Sequence, residues 1–162
     1  MENRNIIIIM RAKIILFIGI AVMCCTLFGG CHTSQNVGKK TIPYTVADRY
    51  FVRNDVTGLP PATIMSDKEF EKYFGMATVM GTNGSPTKID FNKSFVICVA
   101  LAPTDIDTDL SAVSLTDTNS NKLVLRYGIK RGKKMSYTSQ PLLLLVVDKK
   151  YEKPVVLEAE DK

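Results

Sequence analysis

Hydrophobic and polar positions divide this chain into three regimes. Positions 14–28 are almost unbroken apolar, ending in Gly29, Gly30 and Cys31, and "HTSQNVGKK" at 32–40 is then polar with no core-forming period. Short apolar clusters separated by turn residues follow, up to about position 90. In this regime the pattern predicts a strand at 49–54, a Gly/Pro loop in "TGLPPAT" at 57–63, and one helix from Asp67 to Phe74. Ser66 stands as its N-cap with Glu69 three residues later, a capping box. Met65 and Phe70 have the spacing of a hydrophobic staple. Phe70 and Phe74 share a face, and Gly75 suits a left-handed C-terminal position. "MGTNGSPTKIDF" at 80–91 is turn-rich, with Asn83-Gly84 the strongest tight-turn pair.

Beyond this point the pattern is that of strands. "SFVICVALA" at 94–102 and "PLLLLVVD" at 141–148 are continuously apolar, as expected of strands covered on both faces. "LSAVSLTD" at 110–117 alternates in part, "TNSN" at 118–121 turns, and "KLVLRYGIK" at 122–130 places Leu123, Leu125, Tyr127 and Ile129 on one face. "RGKK" at 131–134 reads as a second turn, and "PVVLEA" at 154–159 as a closing strand. Together these predict a mainly β (α+β) domain, a small antiparallel β-sandwich or open barrel with one short helix. Its expected core includes Phe70, Phe74, Phe95, Ile97, Val99, Leu123, Leu125, Leu143, Leu145 and Val147.

The N-terminal regime reads as an address. Arg11 and Lys13 precede an apolar stretch too short for a membrane span and ending in small residues, the order of a secretory signal. "LFGGC" at 27–31 resembles the lipobox of bacterial lipoproteins, in its looser Bacteroidetes form, with Phe28 where leucine is usual. That resemblance implies diacylglycerol on the Cys31 thiol, cleavage just before it, and acyl chains (palmitate among them) holding the protein on a bilayer. The expected organisation is a signal peptide at 1–30, lipidated Cys31 with a tether to 42, and a single β-rich domain at 43–162. The tether has no acidic run after the cysteine. In Bacteroidetes lipoproteins such a run commonly marks export to the cell surface, so the resemblance implies a domain facing the periplasm, and the outer membrane is the expected location.

Charge and cysteine usage narrow the function. Of the formal +5, Arg4, Arg11 and Lys13 with Glu2 lie before the cysteine, leaving +3 beyond it. That excess is too small to argue for nucleic acid, and Trp is absent. Cys24, Cys25 and Cys31 belong to the N-terminal segment, so Cys98 has no partner within the domain and reads as a buried apolar residue. The one histidine, His32, sits on the tether, where it cannot be held against a nucleophile. The expectation is no catalytic residue, no metal site and no cofactor. Asp105, Asp107 and Asp109 in "TDIDTDL" fail the EF-hand pattern at Leu110 and Thr116 and read as a solvated loop. The lysine-rich run at 130–134 reads as a basic hairpin tip. Gly81, Thr82, Asn83 and Gly84 form the candidate partner-binding loop, because glycine-rich connectors can present extended backbone.

From 91 to 149 the layout is similar to the C-terminal domain of the PrcB-type protease-complex family. "DF" precedes an apolar strand, "FVICVAL", and "YTSQPLLLLVVDK" matches that family's Thr-x-x-Pro lead, through Thr138 and Pro141, into a long apolar strand. Where the family has a Thr-Gly-Gly-Tyr loop, this chain has "PTDIDTDLSAV", so that loop's partner contact does not carry over. The functional expectation is a membrane-anchored, non-catalytic lipoprotein whose β-domain binds another envelope protein, a protease being the class the resemblance implies. The alternative is a small-molecule or glycan binder, against which the lack of Trp platforms speaks.

Overall fold

The structure, a computed structural model, describes residues 39–78, 84–118 and 120–161. They belong to one compact unit, Val37–Lys162. In chain order its elements are β1 (Lys40–Thr41), β2 (Thr45–Val46), β3 (Tyr50–Val52), β4 (Thr63–Ile64), helix α1 (Asp67–Tyr73), β5 (Phe74–Met76), β6 (Ser94–Ala100), β7 (Thr104–Thr118), β8 (Lys122–Ser139), β9 (Leu142–Asp148), a 3-10 turn (Lys149–Tyr151) and β10 (Val155–Asp161). The fold is mainly β, a small sandwich in which no sheet closes into a barrel. One sheet runs β1-β7-β8-β10, the other β2-β9-β6-β4, and β3 pairs with β5 in a separate ribbon.

The two apolar runs become the paired centre of the second sheet, with Phe95 opposite Val147 and Cys98 opposite Leu144. Both faces of this sheet are covered. Phe95, Ile97, Val99, Leu143, Leu145 and Val147 point into a core shared with Leu115, Leu123, Leu125 and Ile129 of the first sheet. Val96, Cys98 and Leu144 point the other way, into an outer core with Ile64, Phe70, Phe74 and Phe91. A strand that alternates between two dry faces has no polar position to offer, which is why the runs are continuous. Every core residue expected from the sequence is buried.

Helix α1 and β5 cover the outer face. Ser66 Oγ accepts the Glu69 N–H at 3.3 Å, and the Glu69 carboxylate accepts the Met65 N–H at 3.0 Å. The capping signal is therefore met, one residue further back than the standard box. The expected staple is not: Met65 packs with the core between the large sheets, Phe70 with the outer one. Gly75 does not end the helix in a left-handed turn either. Phe74 is already extended (φ −122°, ψ 140°) and leads straight into β5. Gly75 pairs with Phe51, whose ring lies over it so closely that a Cβ would overlap it. The glycine serves a cross-strand aromatic, not a cap.

Three further expectations are corrected. Residues 130–134 are not a hairpin tip, and Asp105, Asp107 and Asp109 are not in a loop. Both runs lie inside the long β7–β8 ribbon, with Asp109 opposite Lys130, Thr108 opposite Arg131 and Ile106 opposite Lys134. Lys134 Nζ meets Asp105 Oδ2 at 3.0 Å, and a Cβ on Gly132 would stand 3.0 Å from Asp107 Oδ2. Opposite charges pair across the strands, and that pairing overrides the local Gly-Lys-Lys turn signal. Bulges at 104–106, 106–108 and 112–114 adjust the register. The true hairpin turn is at 118–121, as read, closed by Asn121 at φ 57° and its N–H to Thr118 O at 3.1 Å. Secondly, Lys40 and Thr41 are not tether: they pair with Asp117 and Thr116, and Ile42 is in the core. Thirdly, β10 runs parallel to β8, because the chain leaves β8 for the second sheet as β9 and then returns.

Candidate functional site

Of the residues singled out from the sequence, Cys31, Gly81, Thr82 and Asn83 lie outside the described residues, as does His32. Gly84 is described and buried. The stems on either side of 79–83 are held by one short stretch, Asp48-Arg49-Tyr50. On one stem, Ala77 N–H donates to Arg49 O at 2.9 Å. On the other, Thr87 N–H donates to Asp48 O at 3.3 Å, Asp48 N–H to Thr87 Oγ1 at 3.0 Å, and the Tyr50 hydroxyl to Thr87 O at 2.6 Å. Arg49 adopts φ 66°, the left-handed region, which is unusual for an arginine. That turn separates β2 from β3 and delays the strand expected from 49 to position 50. Downstream, Asp90 O accepts the N–H groups of Lys93 and Ser94 at 3.0 and 2.8 Å, joining the second stem to β6. The stems are thus held by Asp48-Arg49-Tyr50, at the start of the strand expected at 49–54, and the second stem runs on into β6.

Beside these stems lies a groove of about 430 Å³. Its floor is Phe70, Ile89 and Phe91, its walls Tyr50 and Met76, and Asp67 and Glu71 of α1 stand on its rim. The floor is stiff because its rings interlock. Phe70 meets Tyr50 edge-on at 5.0 Å between centroids, Phe74 at 4.7 Å and Phe91 at 5.6 Å. Burial pushes the Tyr50 phenol above its ordinary value, so it remains a hydrogen-bond donor to Thr87. Met76, by contrast, is 69 % exposed, a soft apolar side chain at the mouth. The groove gathers positions 50, 67–76 and 85–91, and no local sequence pattern could have announced it.

Chemically, the groove offers apolar contact and a rim of mixed charge, Asp67 and Glu71 with Lys88. Among the described residues, no group of three or more His, Cys, Asp or Glu side chains is placed to hold a metal ion. The two charged runs face each other across the ribbon, Lys134 paired with Asp105 and Lys130 opposite Asp109. Cys98 is sealed in the outer core at 2 % exposure, and burial pushes its thiol up to about 12. Compared with known proteins, the chain matches no family model, no curated protein and no solved structure.

Proposed function

We propose that this protein is an envelope lipoprotein, anchored through Cys31, whose non-catalytic β-domain binds another envelope protein, with a protease as the partner class. The observation that carries the binding role is the α1 groove, where a rigid aromatic floor meets exposed Met76 beside the fixed stems of the 81–84 loop. Pre-ordered stems lower the entropy cost of presenting a binding segment, and an apolar floor supplies the central contact that protein interfaces depend on. An apolar or aromatic side chain of the partner would fill the groove.

A capture experiment from native envelope, with the anchored protein as bait, tests this. Met76→Asp, and separately Gly81→Val with Thr82→Ala, should each reduce capture of the partner by about tenfold or more, the scale of one interface hot spot. Replacing the lysines and arginine of 130–134 by glutamine should leave capture intact. Loss in that last variant alone, with strong salt dependence, would move the contact to the ribbon and refute the groove. The groove's volume also falls within the range of small-ligand sites, about 300–1,000 Å³. That favours a small-molecule or glycan ligand as the second reading, which recovery of glycan in place of a protein would support.

The anchor is tested separately. Intact-mass analysis of membrane-extracted protein should show a chain beginning at Cys31 with a diacylglyceryl adduct. Cys31→Ala should accumulate as unprocessed precursor; normal processing and membrane partition of that variant would rule out lipidation.

A further inference from the structure

One end of the sandwich gathers six lysines, Lys40, Lys93, Lys122, Lys149, Lys150 and Lys153, and the chain enters the domain there. Lys40 in β1 stands opposite Asp117, next to the β7–β8 turn that Lys122 follows. Lys153 reaches back to the same Asp117, Nζ to Oδ2 at 2.6 Å. The Tyr151 ring lies between two ammonium groups, Lys150 at 5.0 Å and Lys40 at 5.6 Å from its centroid. Lys149 N–H donates to Lys93 O at 2.9 Å, which brings the start of β6 to the same end. Four carboxylates temper this collar: Asp117 pairs with Lys153, Asp148 with Lys150 at 2.8 Å, Asp90 with Lys93 at 3.7 Å, and exposed Glu152 follows Tyr151 at the end of the 3-10 turn. Lys40, Lys122 and Lys149 form no ion pair among the described residues. The far end of the ribbon differs, for there Lys130, Arg131 and Lys134 face an acidic strand.

We propose that this lysine collar is a membrane-facing surface that lies against anionic lipid headgroups. The inference rests on the lipoprotein reading for its geometry. Lys40 is nine residues beyond Cys31, so a fully extended chain allows it at most about 30 Å from the lipid. The collar thus surrounds Lys40, the first strand residue that the chain from the lipid attachment reaches. Lysines act over about a Debye length, roughly 8–10 Å, and each one near an anionic leaflet strengthens association by about fivefold. Tyr151, half-buried with its ring between two lysine heads, suits a headgroup boundary, where a side chain is apolar in its body and polar at its tip. Contact here would hold the domain upright on the membrane.

The test is pulse acylation of lysine amines, read by peptide mass, on full-length mature protein in vesicles. Phosphatidylcholine alone is compared with phosphatidylcholine plus phosphatidylglycerol. Lys40, Lys122, Lys149 and Lys150 should be modified severalfold more slowly on the anionic vesicles, and high salt should abolish the difference. Lys133 and Lys134 should be modified at the same rate on both. Equal rates for the collar on the two lipids, or protection confined to Lys133 and Lys134, overturns the proposal. Protection by a soluble polyanion that is independent of lipid composition overturns it too, and assigns the collar to an acidic macromolecule. Failure of the lipidated reading appears separately, as protein that does not float with neutral vesicles. The collar is then judged by whether the unlipidated chain floats with anionic vesicles only, and absence of that flotation counts against it.

Discussion

Phe70→Ala should destabilise the domain by about 3–5 kcal/mol, the range for deleting a buried aromatic side chain. Phe70 is the only buried residue of α1 and the hub of the outer aromatic cluster, touching Tyr50, Phe74 and Phe91. Its removal takes away the apolar area it hides and leaves a void that three stiff rings cannot easily close. The seven-residue helix is too short to persist on its own propensity, so it depends on this seat. Urea unfolding followed by far-ultraviolet circular dichroism measures the loss. Phe70→Leu keeps much of the volume and should cost less than half as much. A loss below about 1 kcal/mol for Phe70→Ala would mean that α1 is not docked on the second sheet. The same pair of variants separates folding from binding. Phe70→Leu should remain folded yet weaken partner capture, because the floor of the groove changes shape.

The parts of this architecture that were legible in the sequence are those in which burial dictates composition. β6 and β9 had to read as unbroken apolar runs because cores lie on both of their faces. The start of α1 was legible because Ser66 and Glu69 are local partners with a fixed spacing. What was hidden depends on residues far apart in the chain. The charges at 105–109 and 130–134 suggest loop and turn when read singly, and only the β7–β8 register shows them as complementary strands. Gly75 suggests a helix stop until Phe51 is laid over it. The parallel entry of β10 depends on which sheet takes β9, a choice no residue near 155 records. The groove was hidden for the same reason, since Tyr50, Phe70 and Ile89 meet only after the Asp48-Arg49-Tyr50 stretch has bound the Thr87 stem.

Alkaline pH should destabilise this domain through Cys98. Desolvation in the outer core pushes its thiol from an ordinary 9.0 up to about 12, since the thiolate would sit among Ile64, Val96 and Leu144 without a hydrogen-bond donor to stabilise it. The native state therefore keeps this proton where the unfolded chain has lost it. Below about pH 9 both states hold the proton and nothing is lost; as pH rises toward 12, unfolding gains the ionisation that burial forbids. At about pH 10.5 the loss amounts to roughly 2 kcal/mol relative to neutral pH. Lysines and tyrosines titrate in the same window, so the measurement is a difference. Urea midpoints of the native sequence and of Cys98→Ala are compared at neutral and at alkaline pH, and the gap between the two proteins should narrow or invert by that amount. Cys98→Ala removes one buried sulfur from a site opposite Leu144 in the pairing register, a cost independent of pH, so only the thiol can produce a pH-dependent change in the gap. A gap that stays constant would place Cys98 in contact with water. Thiol labelling gives the same answer by another route: in the native protein the reagent must wait for an opening of the outer core, so labelling should be far slower than in the unfolded chain and should speed up as urea lowers the stability.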